Sequence, residues 1–173
     1  MKFLKRVFIL AIVLGAGLYF YGRSIPRDHV ASSTVTLVAP ADSVYKLLRN
    51  FSAHPAWWSA VKSSTRLQGR KRESWEQNMG ALGVIRMEVT REVVGRQFVV
   101  TTLNETQQDW GGVWTYDIVT TAAGTEVTVT ETGWVESPFY RVAAKFRGRF
   151  RTIDGMLRSL AAHFGEVATP RHG

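Results

Sequence analysis

The chain contains no cysteine, and this absence removes several kinds of chemistry from consideration. None of its 173 residues carries a thiol, so disulfide bonds, thiolate metal sites and cysteine nucleophiles are excluded. Histidine is scarce as well. The four histidines stand at positions 29, 54, 163 and 172, and no two of them have the close spacing of a metal-binding pair. The sequence therefore predicts neither a metal site nor a cofactor.

The motifs of nucleophilic and phosphate-binding enzymes are missing too. The sequence has no Gly-x-Ser-x-Gly element and no glycine-rich phosphate loop. His54 precedes a proline and is interpreted as a surface loop residue rather than a catalytic base. Acid–base chemistry needs groups within hydrogen-bond reach of one another. An enzymatic reading would rest on one set of polar residues: Glu131 with Arg91, Tyr116 or Asp109.

Acidic residues are outnumbered, but the excess positive charge is confined to the two ends of the chain. The formal net charge is +8. Residues 1–27 hold five basic and no acidic residues, residues 28–137 hold ten basic and twelve acidic, and residues 138–173 hold seven and two. A nucleic-acid binder would carry a basic stripe across its body. We therefore expect no nucleic-acid partner.

A long apolar segment opens the sequence. Sixteen uncharged residues separate Arg6 from Arg23, and as a helix they would span about 24 Å, slightly less than a hydrocarbon core of about 30 Å. Extension of the two arginines toward the headgroups, with Tyr19 and Tyr21 at one interface, would close this gap. No clear small-x-small cleavage site follows. The pattern predicts an uncleaved signal anchor over residues 1–23, with a cleaved signal peptide as the alternative.

The basic residues on either side of this segment indicate its orientation. Three precede the apolar run and two follow it before residue 28, which favours a cytoplasmic N-terminus. We expect a linker over residues 24–32 and a domain outside the cytoplasm. If the signal were cleaved, the domain would instead be secreted.

The rest of the chain predicts an α+β domain over residues 33–166 and a tail over 167–173. Its first strand, 33–38, is followed by an amphipathic helix beginning near Pro40 and by a second short helix or turn around Pro55. Glycine residues, which favour turns, then separate six β-rich stretches. These are 61–68, 74–79, 84–94, 97–104, 112–120 and 125–135.

The period of apolar residues changes after Ser137 and Pro138, which suit the cap and first turn of a helix. Helical spacing continues to Gly165 and predicts one helix of about 25 residues. A helix of this length would cover a whole antiparallel sheet, and the sheet would curve around it. Asp154 and Arg158 stand four residues apart and should pair on its exposed side.

Two stretches resemble the helix-grip superfamily known as SRPBCC or START-like, in particular its polyketide cyclase/dehydrase and lipid-transport branch. They are "VTLVAPADSVYKLLRNFSAHPAWW" and "GGVWTYDIVTTAAGTEVTVTETGWVESPFYRVAAKF". The order and spacing of their strands, turns and helices resemble the family over roughly residues 30–166. The resemblance implies a curved antiparallel sheet around a long C-terminal helix, with a cavity between them for an apolar molecule.

Glu131 interrupts the strand "VTVTETGWV" on the face that Val127 and Val129 mark as core. If the resemblance holds, this face looks into the cavity. A buried carboxylate must be paired or neutral, and Arg91, Tyr116 or an arginine of the last helix could satisfy it. If Glu131 has only a structural role, it forms an ion pair or lies at the water-accessible rim of the cavity. The predicted ligand-binding set is Met87, Arg91, Trp114, Tyr116, Glu131, Phe146 and Phe150.

The remaining tryptophans have alternative roles. Trp134 falls on the opposite, threonine-bearing face of its strand, whereas Trp57 and Trp58 suit a pocket lid or a contact with the membrane interface. Taken together, the sequence predicts membrane-anchored binding of a hydrophobic small molecule or lipid. A cyclase or dehydratase using the same cavity and a protein-interaction module with a filled core are the alternatives.

Overall fold

The computed structural model describes residues 2–105 and 109–173, and its core is one antiparallel sheet with helices on one face. The helices are α1 (Lys2–Ser24), α2 (Ala41–Arg49), α3 (His54–Trp57), α4 (Pro138–Arg147) and α5 (Arg151–His163). The strands are β1 (Asp28–Leu37), β2 (Ser63–Leu67), β3 (Ser74–Asn78), β4 (Val84–Val93), β5 (Gln97–Thr102), β6 (Trp110–Thr121), β7 (Gly124–Val135) and β8 (Arg171–His172). Short 3₁₀ turns lie at Phe51–Ala53 and Gly80–Leu82.

The order of strands in the sheet is β2-β3-β4-β5-β6-β7-β1-β8. Consecutive strands from β2 to β7 pair as hairpins, and β1 joins the far side of β7. Alternation along each strand gives the sheet two faces. We call the face that carries the fully buried Val127 and Val129 the inner face. The α+β class with a C-terminal helix on an antiparallel sheet, predicted from the sequence, is confirmed.

α5 packs on the inner face of the sheet, where it contacts β1. Its residues Ile153, Met156, Leu157 and Leu160 are completely buried. Ser33 of β1 donates a 2.8 Å hydrogen bond to the carboxylate of Asp154, which also lies 3.5 Å from the Arg158 guanidinium. These contacts hold α5 against β1.

The predicted 25-residue helix is wrong in one respect, because it is divided into α4 and α5. Gly148 lies between them with φ of +84°, a conformation that glycine adopts without the steric cost other residues incur. α5 remains on the sheet, while α4 turns away and packs against α1. Because the apolar spacing of the sequence continues through the break, the sequence pattern did not predict it.

The N-terminal part of the fold differs from the expected linker. β1 begins at Asp28 rather than at residue 33, and it pairs with β7 along its whole length, from Asp28 opposite Trp134 to Leu37 opposite Thr125. At the other end of the chain, β8 extends the sheet beyond β1, with His172 opposite Ser33. Part of the predicted tail is therefore a sheet strand.

α1 leaves the domain as a helix whose apolar side chains are mostly exposed. Phe3–Ser24 is long and apolar enough to cross a membrane, a property it shares with signal sequences. Its C-terminal end contacts α4: a Cβ at Gly22 would lie 2.2 Å from the Pro138 carbonyl oxygen. Only glycine permits so close an approach at this position.

Candidate functional site

A cavity lies between the inner face of the sheet and the segment Phe51–Trp58. β3 to β6 form its floor, and the 3₁₀ turn with α3 covers it. Its water-accessible volume is about 50 Å³, and the atom-free space including the opening to solvent is about 470 Å³. The lining residues are Phe51, His54, Trp58, Gln77, Met79, Ile85, Met87, Val100, Thr102, Trp110, Trp114 and Tyr116.

Strand alternation places the aromatic walls of this cavity. Trp114 and Tyr116 are two residues apart on β6, so both project from the inner face. Their ring centroids are 6.4 Å apart, and the Trp58 ring approaches Trp114 at 6.3 Å. Phe98, directly opposite on β5, stacks on Tyr116 with ring centroids 4.3 Å apart. The walls thus present broad apolar surfaces suited to a planar or aliphatic molecule.

Two buried polar side chains, His54 and Gln77, interrupt the apolar lining, and each is only 2% exposed. The imidazole Nε2 lies 2.8 Å from the Leu48 carbonyl oxygen, and Nδ1 lies 3.0 Å from the amide nitrogen of Gln77. That nitrogen also donates a 3.1 Å hydrogen bond to the Ser64 hydroxyl. Burial lowers the pKa of His54 to about 4, so the ring is neutral near pH 7.

Glu131 lies beside the cavity rather than in its lining. It stands opposite Trp114 in the β6–β7 register, and its side chain is 19% exposed. The carboxylate is 3.7 Å from Nε2 of His29. The pKa of Tyr116 is raised, chiefly by burial and also by the negative charge of Glu131, so this phenol remains a neutral hydrogen-bond donor. A structural role for Glu131, as a paired residue at the rim of the cavity, agrees with this geometry.

The sequence matches the family described as polyketide cyclase / dehydrase and lipid transport over residues 28–165. This range contains the whole cavity lining. The chain belongs to this family. The superfamily resemblance predicted from the sequence is therefore confirmed, and α1 lies outside the matched range. A search of curated proteins gives no significant match.

Solved structures of low sequence identity share the fold of this family member. The Zhui aromatase/cyclase from a Streptomyces species is 15% identical with a TM-score of 0.64, and the alignment covers 79% of this chain and 93% of that one. A START superfamily protein from Mycobacterium smegmatis is 19% identical with a TM-score of 0.59, covering 78% and 96%. The di-domain aromatase/cyclase StfQ of the steffimycin pathway is 12% identical with a TM-score of 0.65; this chain covers 50% of it, and 79% of this chain is aligned. At these identities the likeness shows the fold alone.

The structure brings three of the predicted ligand-binding residues of this family member into one cavity. Met87, Trp114 and Tyr116 all line it. Glu131 lies on the same face next to Trp114. Within the described residues, the basic side chain that lies within 4 Å of the Glu131 carboxylate is His29, diagonally placed on β1, so the expected pairing with Arg91 or with an arginine of the last helix was wrong.

Arg91 does not reach the cavity. The β4–β5 register shifts between Val89 and Arg91, so that Val89 pairs with Val100 but Arg91 pairs with Val99. A β-bulge of this kind inserts one extra residue and reverses the faces that follow it. The prediction that Arg91 continues the inner-face phase of Met87 and Val89 was therefore wrong.

Phe146 and Phe150 also lie apart from the cavity, because the helix break at Gly148 redirects them. The Phe146 side chain is 81% exposed on α4. Phe150 stacks on the His172 ring, with centroids 3.8 Å apart. The break thus separates the predicted apolar stripe into an exposed part and a part that packs against the C-terminal strand.

Arg91 instead borders a polar cleft that Arg49, Glu73 and Glu92 also line. Arg49 makes a bidentate contact with Glu73 at 2.6 and 2.8 Å and a 3.0 Å contact with Glu92, which also accepts a hydrogen bond from Tyr45. Hydrogen bonding from Arg49 lowers the pKa of Glu73 to about 2. These charges satisfy one another, so the network joins α2 to β3 and β4 as a structural element.

Sequence reasoning missed the two polar residues of the cavity. His54 was expected in a surface loop, but a contact with Gln77, 23 residues away, buries it. Gln77 carried a recognisable signal, since Trp75 and Met79 stand two positions away on either side, as Val129 does beside Glu131. Asp109, part of the enzymatic reading, is exposed and does not line the cavity. Among residues 2–105 and 109–173, no group of three or more metal-ligating side chains occurs.

Proposed function

We propose that this family member binds a hydrophobic small molecule or lipid in the cavity beneath Phe51–Trp58, and that α1 anchors it to a membrane. The observation that carries the proposal is the cavity lining, in which aromatic, methionine and aliphatic side chains surround one buried His–Gln pair. Ligand pockets have this composition: mostly apolar walls with a few placed polar groups. Burial of apolar surface supplies the affinity at about 25 cal/mol per Å².

The cavity has to widen before it accepts a molecule as large as benzene. Its volume of about 50 Å³ is below the roughly 150 Å³ that holds a benzene molecule in an engineered cavity. Met79 and Met87 both border it, and methionine side chains rearrange easily because they are unbranched and have three rotatable bonds. Met79 also directly precedes the Gly80–Leu82 turn. Binding is thus expected to move these methionines.

The state of the polar groups supports binding over acid–base catalysis. Both ring nitrogens of His54 already have hydrogen-bond partners, and the low pKa of this ring makes it a poor proton acceptor near pH 7. Burial keeps the phenol of Tyr116 protonated. A cyclase or dehydratase activity, the second candidate, is favoured by the aromatase/cyclase structures that share the fold. It would need Glu131, so loss of turnover in Glu131→Gln with ligand binding retained would support it.

Native mass spectrometry of the full chain, followed by organic extraction, tests the binding proposal. We expect a discrete bound mass that disappears in Trp114→Ala. Trp134→Ala is the matched control, because Trp134 lies on the outer face of the adjacent strand and contacts Arg27 instead of the cavity. A chain that carries no ligand and ignores panels of lipids and aromatic compounds would overturn the proposal in favour of a filled-core interaction module.

The membrane part of the proposal rests on α1 together with α4. The Tyr19 ring lies 6.0 Å from Phe139, and the Lys145 ammonium lies 5.3 Å from the Tyr21 ring. α4 therefore sits at the C-terminal end of the proposed span. If α1 crosses the bilayer, the exposed aromatic residues and the basic residues of α4 meet the lipid interface, where both types are favoured.

The absence of cysteine makes the topology simple to test. Val167 is fully exposed, at 101% of its reference area, so Val167→Cys provides a single labelling site. We expect a membrane-impermeant maleimide to label this variant on intact cells, with the labelled chain retained in the membrane fraction. Labelling only after lysis would contradict the proposed orientation, and release of labelled chain into the medium would indicate cleavage of the anchor.

A further inference from the structure

Gln77 brings an unpaired hydrogen-bond acceptor to the cavity, whereas the other polar groups of the lining without a partner among the described residues, the Tyr116 phenol and the indole N–H groups, are donors. It lies on β3 with its side chain on the inner face, opposite Ile85 of β4, which also lines the cavity. Its amide nitrogen is fully used, since it contacts Nδ1 of His54 at 3.0 Å and the Ser64 hydroxyl at 3.1 Å. An amide group also has an oxygen, and that oxygen accepts up to two hydrogen bonds.

The hydrogen bonds around His54 determine which way this amide points. Nε2 faces the carbonyl oxygen of Leu48 at 2.8 Å, and a carbonyl only accepts. Nε2 must therefore carry the proton, and the neutral ring has its lone pair on Nδ1. Only the NH₂ group of Gln77 can donate to that lone pair. The amide oxygen is thereby directed away from His54.

No hydrogen-bond partner of the Gln77 amide oxygen occurs in residues 2–105 or 109–173. The oxygen is not sealed in the core either. Within the same residues, the one side-chain polar atom that lacks both a partner and access to solvent is Nε1 of Trp57. Because Gln77 is almost completely buried from bulk solvent and lines the cavity, the accessible oxygen borders the cavity.

We propose that the Gln77 amide oxygen accepts a hydrogen bond from the ligand, and that the ligand is therefore an apolar ring compound carrying a hydrogen-bond donor such as a hydroxyl group. The Trp58 and Trp114 rings supply the apolar walls on which such a ring packs. Leu48, His54 and Ser64 act as positioning residues that hold the amide in one orientation. This inference rests on the proposed function, because it names the ligand class of the same cavity.

A fixed acceptor in an apolar site discriminates strongly between ligands. A ligand without a donor fills the cavity but leaves the buried oxygen unpaired, whereas a hydroxyl of the same shape pairs with it. p-Cresol and p-xylene form such a pair, because they differ only by hydroxyl against methyl. In a purely apolar site the more hydrophobic p-xylene binds more tightly. In this cavity p-cresol is expected to bind at least as tightly.

Methionine-methyl NMR of the full chain in detergent micelles measures both affinities at a known place. Met79 and Met87 line the cavity, and Met156 is buried outside it, so Met156 is an internal control. Free probe concentrations are fixed by dialysis, which corrects for partition into detergent. The quantity to compare is the ratio of the two dissociation constants, p-xylene over p-cresol.

Gln77→Met removes the oxygen while keeping the length of the side chain, and the ratio is expected to fall by about tenfold. Gln97→Met is the matched control, because Gln97 lies outside the cavity lining and donates its side-chain hydrogen bond to Asp117, and its ratio should stay within about twofold of the wild-type value. Tighter binding of p-xylene by the wild-type chain, or an unchanged ratio in Gln77→Met, would overturn the inference. If Gln77→Met does not fold, the comparison of p-xylene and p-cresol binding by the wild-type chain tests the inference alone. Binding of neither probe would overturn the proposed function as well.

Discussion

The two ends of the inner sheet face carry the same alternation of side chains but are filled differently. At the end where α5 packs on β1, the core is filled: Val127 and Val129 of β7 and Leu157 of α5 are all completely buried. Under Phe51–Trp58, the same face borders a cavity with a hydrogen-bonded His–Gln pair at its wall. Alternation thus determines which side chains face inward. The element that covers them determines whether they form solid core or a binding site.

Truncation of a core residue of α5 should have the largest effect on stability. Leu157→Ala leaves a void that close-packed neighbours fill only in part, so we expect the free energy of unfolding to fall by about 2–5 kcal/mol. Met87→Ala, at the cavity, should cost less because Met87 is partly exposed and already borders empty space. Urea denaturation followed by tryptophan fluorescence measures both, and equal losses would contradict the distinction between the two ends.

Enlarging a valine should act in opposite directions at the two ends. Val129→Leu adds volume to a filled core and is expected to cost about 1–3 kcal/mol. Val100→Leu adds the same volume to the wall of the cavity, and it should leave stability unchanged or raise it while weakening ligand binding. Thermal unfolding and the native mass spectra of both variants check this. A comparable loss of stability in Val100→Leu would show that the cavity end is packed as tightly as the other.

Acidification should weaken the fold through His54 at the cavity end. The ring has a pKa of about 4 when folded and about 6.5 when unfolded, so the unfolded chain gains a proton that the folded chain cannot hold. Stability is therefore lost as the pH falls below 6.5, by about 1.5 kcal/mol between pH 6.5 and 5. Urea denaturation across this range measures the loss. In His54→Gln the slope should decrease, and an unchanged slope would contradict neutral burial of this ring.

The smallest effect on stability is expected at α4, the part of the predicted long helix that leaves the sheet. Phe146→Cys should change the free energy of unfolding by less than about 0.5 kcal/mol, because the side chain is exposed. An environment-sensitive dye on this cysteine should nevertheless shift to the blue in anionic lipid nanodiscs. Val38→Cys, also strongly exposed at 83%, is the control and should show no shift. Identical spectra at both sites would contradict contact of α4 with lipid.

Sequence patterns predicted the fold and three residues of the cavity lining, Met87, Trp114 and Tyr116, because both depend on local periodicity. The period of two placed Trp114, Tyr116 and Glu131 on one face, and the observed register agrees. The family resemblance then indicated a cavity, but beneath the C-terminal helix, whereas the observed cavity lies beneath Phe51–Trp58 and no residue of α4 or α5 lines it. No contact between distant residues was needed for either step.

The missed features depend on events that periodicity does not encode. The bulge before Arg91 inserts one residue and reverses the phase of β4, and the positive φ of Gly148 ends a helix whose apolar spacing continues. Burial of His54 requires Gln77 from a distant strand. The two-residue strand at His172 forms only by pairing with β1. Each of these features depends on tertiary structure, because the local sequence is compatible with more than one conformation.

Xenon binding followed by methionine-methyl NMR tests the contrast between the two ends most directly. Xenon enters apolar cavities without needing a hydrogen bond, and Met79 and Met87 report the cavity while Met156 reports the filled core. We predict saturable shifts at Met79 and Met87 under xenon pressure and none at Met156, with an equal pressure of nitrogen as the control. An absence of saturable shifts at the two cavity methionines would contradict the account and would favour a filled core throughout.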